Sequence, residues 1–343
     1  MVREDLERTI ALADVDACVR AVEGIVADRD WECLLWFADR CRAACDRGFQ
    51  LWPAAEYARY RAALDAPPDV AGQVLIDTPV AFGLGPLAEV AASTHTWSEL
   101  APFVPPGPVA VLTMYERVAR GEHCWEQGFG PIDESSLGPI VMETPPWCSA
   151  WEPAYPEAHY FADRVDAPAP ARPNPSQFVA LPSRTAVALE RCEAVEELFE
   201  VSDALAEVAR AWRAEPEVVV RVVAVDGTLE DAVGVCGSDL PGGVRFARIS
   251  GAEGVAHLAW AAASGGPMGR RRGMAIGREQ AWHVAALAAG GDPRHGLEPE
   301  DVERAVTELV WAWWDRGAPR PEWSMGLAIA DLHDGCAWAL EVR

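Results

Sequence analysis

Apolar positions near the start of the chain recur at helical spacing. Val15, Cys18, Val19, Val22, Ile25 and Val26, then Leu34, Leu35, Ala38, Cys41 and Cys45, trace two stripes of 3.6-residue period and predict two amphipathic helices within 14–47. Gly48 follows the second as a C-terminal glycine commonly does. Proline at or near the first turn predicts further helices at 53–64, 67–76, 86–92 and 108–120. An all-helical N-terminal region follows, an irregular or HEAT-like bundle, although no repeat of fixed period runs through it.

The pattern then changes. Ten prolines fall between 138 and 183, and APAPARPNP at 167–175 has the composition of an extended tether. Just before it, Trp147, Trp151, Tyr155, Tyr160 and Phe161 carry too much aromatic area to leave in water, so 131–183 reads as an ordered strap ending in a linker. Beyond it, a helix at 185–214 precedes VVVRVVAV at 218–225, a continuous apolar run that ends at Asp226-Gly227 and predicts a buried strand. A second strand is predicted at 244–249, with helices at 252–263, 270–289 and 299–316. Trp323, Met325, Leu327 and Ile329 alternate with small residues, Asp334-Gly335 turns, and Cys336, Trp338, Leu340 and Val342 alternate back, which is a terminal β-hairpin. The expected class is α+β: a helical domain at 1–130, the strap at 131–183, and at 184–343 a small sheet covered by helices.

Composition narrows the chemistry. Of 343 residues, 50% are hydrophobic and 24% charged, as in an ordinary globular protein. All 29 cations are arginine; with no lysine, a Walker-type phosphate loop, a protein kinase and Schiff-base catalysis are excluded. A net charge of -24 repels nucleic acid and anionic lipid, so neither is an expected partner. No signal peptide or long apolar run is seen, and nine scattered cysteines read as reduced thiols, which points to a cytoplasmic protein. Cys41 and Cys45 lack the spacing of a zinc site. Neither GxSxG nor a strand-linked GxGxxG occurs, and no cofactor or metal is expected.

Three segments could carry chemistry. In SGGPMGRRRGMAIGREQAWHVAALAAGG at 264–291, Gly269, Gly273 and Gly277 recur every four residues, and Arg270, Arg271, Arg272 and Arg278 cluster beside Trp282. One reading is a glycine seam for close helix packing with internally paired arginines. The other is an oxyanion site where guanidinium forks and backbone N–H groups converge near a helix start. In GPLAEVAASTHTWSEL at 85–100, His95 and Glu89 are acid-base candidates, with Thr94 and Thr96 beside them as polar contacts. The structural reading of the same residues is a helix junction at which Thr96 and Glu99 form a capping box. In WEPAYPEAHY at 151–160, Tyr155 and Glu152 could line a ligand cleft, or the segment could serve purely as packing.

The segments FGLGPLAEVAASTHTWSELAP, WEPAYP and AWAAASGGPMGRRRGMAIGR resemble a family of uncharacterised proteins common in high-GC actinobacteria, over most of the chain. That resemblance implies a bacterial cytoplasmic setting and no activity. Two functions are therefore weighed. In one, the arginine segment binds a phosphate-, sulfate- or carboxylate-bearing small molecule, as a binding protein or as a biosynthetic enzyme that stabilises an anionic leaving group. In the other, the chain is a non-catalytic adaptor whose helical N-terminal region and aromatic strap engage a protein partner, a reading that exposed tryptophans would favour.

Overall fold

A computed structural model describes residues 3–75, 84–124, 144–181, 196–214, 218–238, 243–266, 270–291, 299–317 and 324–343. They fall into two compact units: 1–141 with 158–166, and 142–157 with 167–343. Of the described part of the strap, 158–166 belongs to the first unit and 144–157 with 167–181 to the second.

The first unit contains α1 (Arg3–Ala11), α2 (Val15–Ala27), α3 (Trp31–Asp46), α4 (Trp52–Asp65), α5 (Pro68–Val74), α6 (Leu87–Thr94), α7 (Trp97–Leu100) and α8 (Pro108–Ala119). Asp14 and Asp30 start α2 and α3 by accepting the N–H groups of Ala17 and Cys33, donors that the first helical turn leaves unsatisfied. Of the predicted stripes, Cys18, Val22, Ile25, Val26, Leu34, Ala38 and Cys41 are buried and Val15, Val19, Leu35 and Cys45 half-buried, while Phe37 joins the inner face of α3. Helix α4 is buried nearly all round and packs against α2, α3, α5 and α6, so the bundle is organised about it. Its Arg61 is neutralised in place by Glu23 and Asp65, each at 2.6 Å. A short hairpin, β1 (His159–Tyr160) with β2 (Val165–Asp166), completes the unit.

The second unit is built on a six-stranded antiparallel sheet of order β3-β5-β6-β7-β8-β4, made of β3 (Val179–Leu181), β4 (Val220–Asp226), β5 (Val244–Ile249), β6 (Val310–Asp315), β7 (Met325–Asp331) and β8 (Cys336–Val342). Its helices are α9 (Glu196–Val208), α10 (Leu229–Cys236), α11 (Gly251–Ser264), α12 (Met274–Ala288) and α13 (Pro299–Glu308). The class is α+β, and the terminal hairpin is present as β7 and β8. The helix expected at 299–316 is corrected: α13 stops at Glu308, and VWAWWD becomes the inner strand β6. Aromatic residues on both faces suit a strand covered on both sides. Ala312 and Trp314 join the core under α10, whereas Trp311 closes on Gly254 of α11, where a Cβ would lie 2.2 Å from the indole.

The 167–175 stretch is extended but anchored. Arg172 donates to the Ser324 carbonyl at 3.1 Å and lies over the Trp313 ring. His257 of α11 stacks on Trp313 at 4.5 Å and hydrogen-bonds the Ala171 backbone. Burial pushes His257 down to about 4, against the pull of Glu253. A lowered histidine favours the folded state while it is neutral, so this contribution is whole above about pH 6.5 and disappears as pH falls towards 4. Urea unfolding followed by tryptophan fluorescence is expected to show stability falling through that window, and a His257→Phe variant to flatten the fall.

Candidate anion site

Helix α11 ends at Gly265, whose φ of +73° is the left-handed cap that glycine tolerates best. The chain then doubles back: a Cβ on Gly265 would lie 1.9 Å from the Arg270 carbonyl oxygen, and the Arg272 N–H donates to the Ala263 carbonyl at 2.7 Å. Gly273, at φ +97°, opens α12 and brings no capping side chain. Helix α12 runs against α11, and Gly277 allows their close approach, since a Cβ there would be 2.2 Å from the Ala259 carbonyl oxygen. At Gly277 the glycine stripe is therefore a packing seam. Gly269 lies outside the described residues.

The four arginines divide. Arg278 has a fully buried side chain and makes four hydrogen bonds. Its Nε and Nη2 form a two-pronged pair with Glu152 at 2.7 and 2.8 Å, and Nη1 and Nη2 donate to the carbonyls of Pro145 and Trp147. Glu152 also accepts from Tyr155 Oη at 2.6 Å, Trp282 Nε1 at 3.1 Å and the Ser149 N–H at 2.7 Å. Burial alone would raise the Glu152 carboxyl, but hydrogen bonding and charge from Arg278 hold it below the ordinary value. Arg278, Trp282 and Tyr155 thus form one network that clamps the strap to α12. In this geometry the Arg278 fork is directed at Glu152.

Arg272 is different. It is half-buried, and its guanidinium makes one long hydrogen bond, Nη1 to Gln280 Oε1 at 3.4 Å. Burial lowers its pKa; the carboxylate of Glu207 opposes that and the charge of Arg210 adds to it. Glu207 is itself paired with Arg210 at 3.2 Å. Arg270 is exposed and Arg271 half-exposed in the same loop. Arg272 thus lies beside the Arg210–Glu207 ion pair that follows α9, in the loop that also carries Arg270 and Arg271. Arg210 and Gln280 were not singled out from the sequence; Gln280 follows Arg272 by eight residues, whereas Arg210 is distant and is brought in only by the fold.

The other candidates belong to the first unit. Glu89 is fully buried and accepts from Tyr160 Oη at 2.7 Å. Tyr160 enters beside Gly85, where a Cβ would fall 2.2 Å from its hydroxyl. Arg120 holds the same hairpin by donating to the Ala158 carbonyl at 2.9 Å, and the Tyr60 hydroxyl donates to the Phe161 carbonyl. Glu89 in this setting fastens a hairpin. Burial lowers His95, Glu99 pulls the other way, and its Nε2 is enclosed with no hydrogen-bond partner. Thr94 bonds back to the Ala91 carbonyl at 3.4 Å, and Thr96 with Glu99 forms the capping box of α7.

Comparison with curated proteins and with solved structures gives no match. A family model described as a family of unknown function, DUF6183, matches residues 16–339, nearly the whole length, and the chain belongs to that family.

Proposed function

We propose that the protein binds a small molecule through a phosphate, sulfate or carboxylate group held at Arg272, in the loop that also carries Arg270 and Arg271. The observation that carries this reading is Arg272 itself, a half-buried guanidinium with one 3.4 Å hydrogen bond and no carboxylate on its fork. Removing a cation from water is costly unless a counter-charge and hydrogen bonds replace the lost hydration, and an oxyanion supplies both. The start of α12 adds a favourable dipole. Net charge opposes the approach of any anion from a distance, but screening confines that field to about 8–10 Å at ordinary ionic strength, so the local arginines govern the last step.

Exposed tryptophans would favour an adaptor role, and among the described residues the large exposed apolar side chains include none. A cytoplasmic, actinobacterial setting is part of the proposal, supported by free thiols at every described cysteine and by the lysine-free composition. No described helix is long and apolar enough to cross a membrane.

A thermal-shift series with phosphate, sulfate and citrate tests the site. Binding to the native state stabilises by about 2.7 kcal/mol at a hundredfold excess over Kd. The unfolding temperature should climb with anion concentration in the parent and stay flat in Arg272→Ala; equal climbs in both would remove Arg272 from the site.

A further inference from the structure

Two thiols meet inside the first unit. Arg29, at φ +54°, sits in the short turn that joins α2 to α3 as a helical hairpin. Cys18 stands eleven residues before Arg29 and Cys41 twelve after it, so antiparallel helices bring both to one level. Each is fully buried, and their side chains are hydrogen-bonded to each other. Cys18 closes the first turn of α2, where the helix dipole favours negative charge, and its Sγ also reaches the Thr9 carbonyl of α1 at 4.0 Å. The hydrogen bond from Cys41 holds the Cys18 thiol below its ordinary value, against burial and the charge of Asp14. The same bond, then burial and the neighbouring sulfurs, raise Cys41. One sulfur is thus favoured as the thiolate and the other as the proton donor beside it. Cys45, one turn beyond Cys41, is half-buried, and its Sγ donates back to the Cys41 carbonyl at 3.3 Å. The open end of the hairpin is close by, and 46–50 there is exposed.

We infer that Cys18 and Cys41 form a redox modification site, a dithiol that hydrogen peroxide converts to a disulfide stapling α2 to α3. The chemistry balances. The Cys18 thiolate attacks one peroxide oxygen, the O–O bond breaks, and the hydroxide that leaves takes up the Cys18 proton to become water. The Cys41 sulfur then attacks the Cys18 sulfenic acid: the S–S bond forms, the S–O bond breaks, and the departing oxygen takes the Cys41 proton as a second water. One peroxide and two thiols give one disulfide and two waters. Cys18 is the partner that matters for Cys41, because a link to Cys45 would join two turns of one helix and constrain nothing, whereas a link to Cys18 joins two helices across 22 intervening residues. The site lies in the first unit and does not depend on Arg272.

The test treats the folded, fully reduced chain with hydrogen peroxide, blocks the remaining thiols with N-ethylmaleimide and maps tryptic peptides without reduction. Trypsin cuts after Arg20, Arg40 and Arg42, so Cys18, Cys41 and Cys45 fall on three separate peptides and any link between them is read directly. The expected product is the Cys18–Cys41 linked peptide. Its formation should raise the unfolding temperature by about 5 °C or more, and dithiothreitol should reverse both changes. Cys45→Ala should behave as the parent, and Cys18→Ala should give neither the link nor the rise. Cys18 and Cys41 both alkylated after peroxide, a link from Cys41 to Cys45 instead, a link that forms only in urea, or one that leaves the unfolding temperature unchanged would each overturn the inference.

Discussion

Replacing Glu152 by glutamine is expected to cost the second unit about 3–5 kcal/mol, because it leaves the guanidinium of Arg278 buried without its counter-charge. The penalty is large for a stated reason. Each side chain is fully buried, so neither charge recovers water when the other is lost. Arg278→Met should cost a similar amount by stranding the carboxylate. The double variant should lose much less than the sum, since a buried pair replaced by uncharged groups of similar volume is often near neutral. Urea unfolding of the four proteins checks this as a double-mutant cycle. Acid supplies a second readout. Glu152 is held below its ordinary value, so its contribution is present above the normal carboxylate range and is lost as pH falls through the folded-state value. The Glu152→Gln protein should lack that acid limb.

Gly277→Ala is expected to destabilise by about 1–3 kcal/mol, against the usual sign of a glycine-to-alanine change in a helix. Helix propensity alone favours alanine by about 1 kcal/mol. The added Cβ, however, would sit 2.2 Å from the Ala259 carbonyl oxygen and 2.9 Å from the Ala263 Cβ, and backbone cannot swing aside as a flexible side chain can. Helices α11 and α12 would have to separate. Gly234→Ala in α10 is the control: nothing lies within 4 Å of its added Cβ, so propensity should prevail and stability should rise. Thermal unfolding of both variants separates the two effects by sign.

Local pattern carried the architecture furthest where one face of an element is buried and the other wet. The stripes of α2 and α3 are of this kind; β7 and β8 are buried on both faces, but large side chains alternate with small ones along each about the Asp334-Gly335 turn, and all four elements appear where their periods place them. Strand β6 has no such alternation of large and small side chains. VWAWWD is buried on both faces, leaves no alternation, and follows directly on α13, so its period is indistinguishable from a helix continuing. The six-stranded order likewise depends on pairings such as β5 with β6, between segments some seventy residues apart, as the Arg245–Asp315 pair is. At the candidate site, the cluster of arginines was visible as composition, but which of them is satisfied was not. Arg278 finds Glu152 across 126 positions, and that partner, not any local feature, separates it from Arg272. Glu89 was visible as an acid near His95, whereas its true partner Tyr160 is 71 positions away.

Arg272 is the residue on which anion binding is proposed to depend. Calorimetric titration of the whole protein with inorganic phosphate, run in parallel on Arg272→Ala and on Arg20→Ala, an exposed arginine of α2 that changes net charge equally, measures it. A saturable one-site isotherm in the parent and in Arg20→Ala, with affinity reduced by about tenfold or more in Arg272→Ala, is the predicted result. Unchanged phosphate affinity in Arg272→Ala, or equal weakening in both variants, would contradict it.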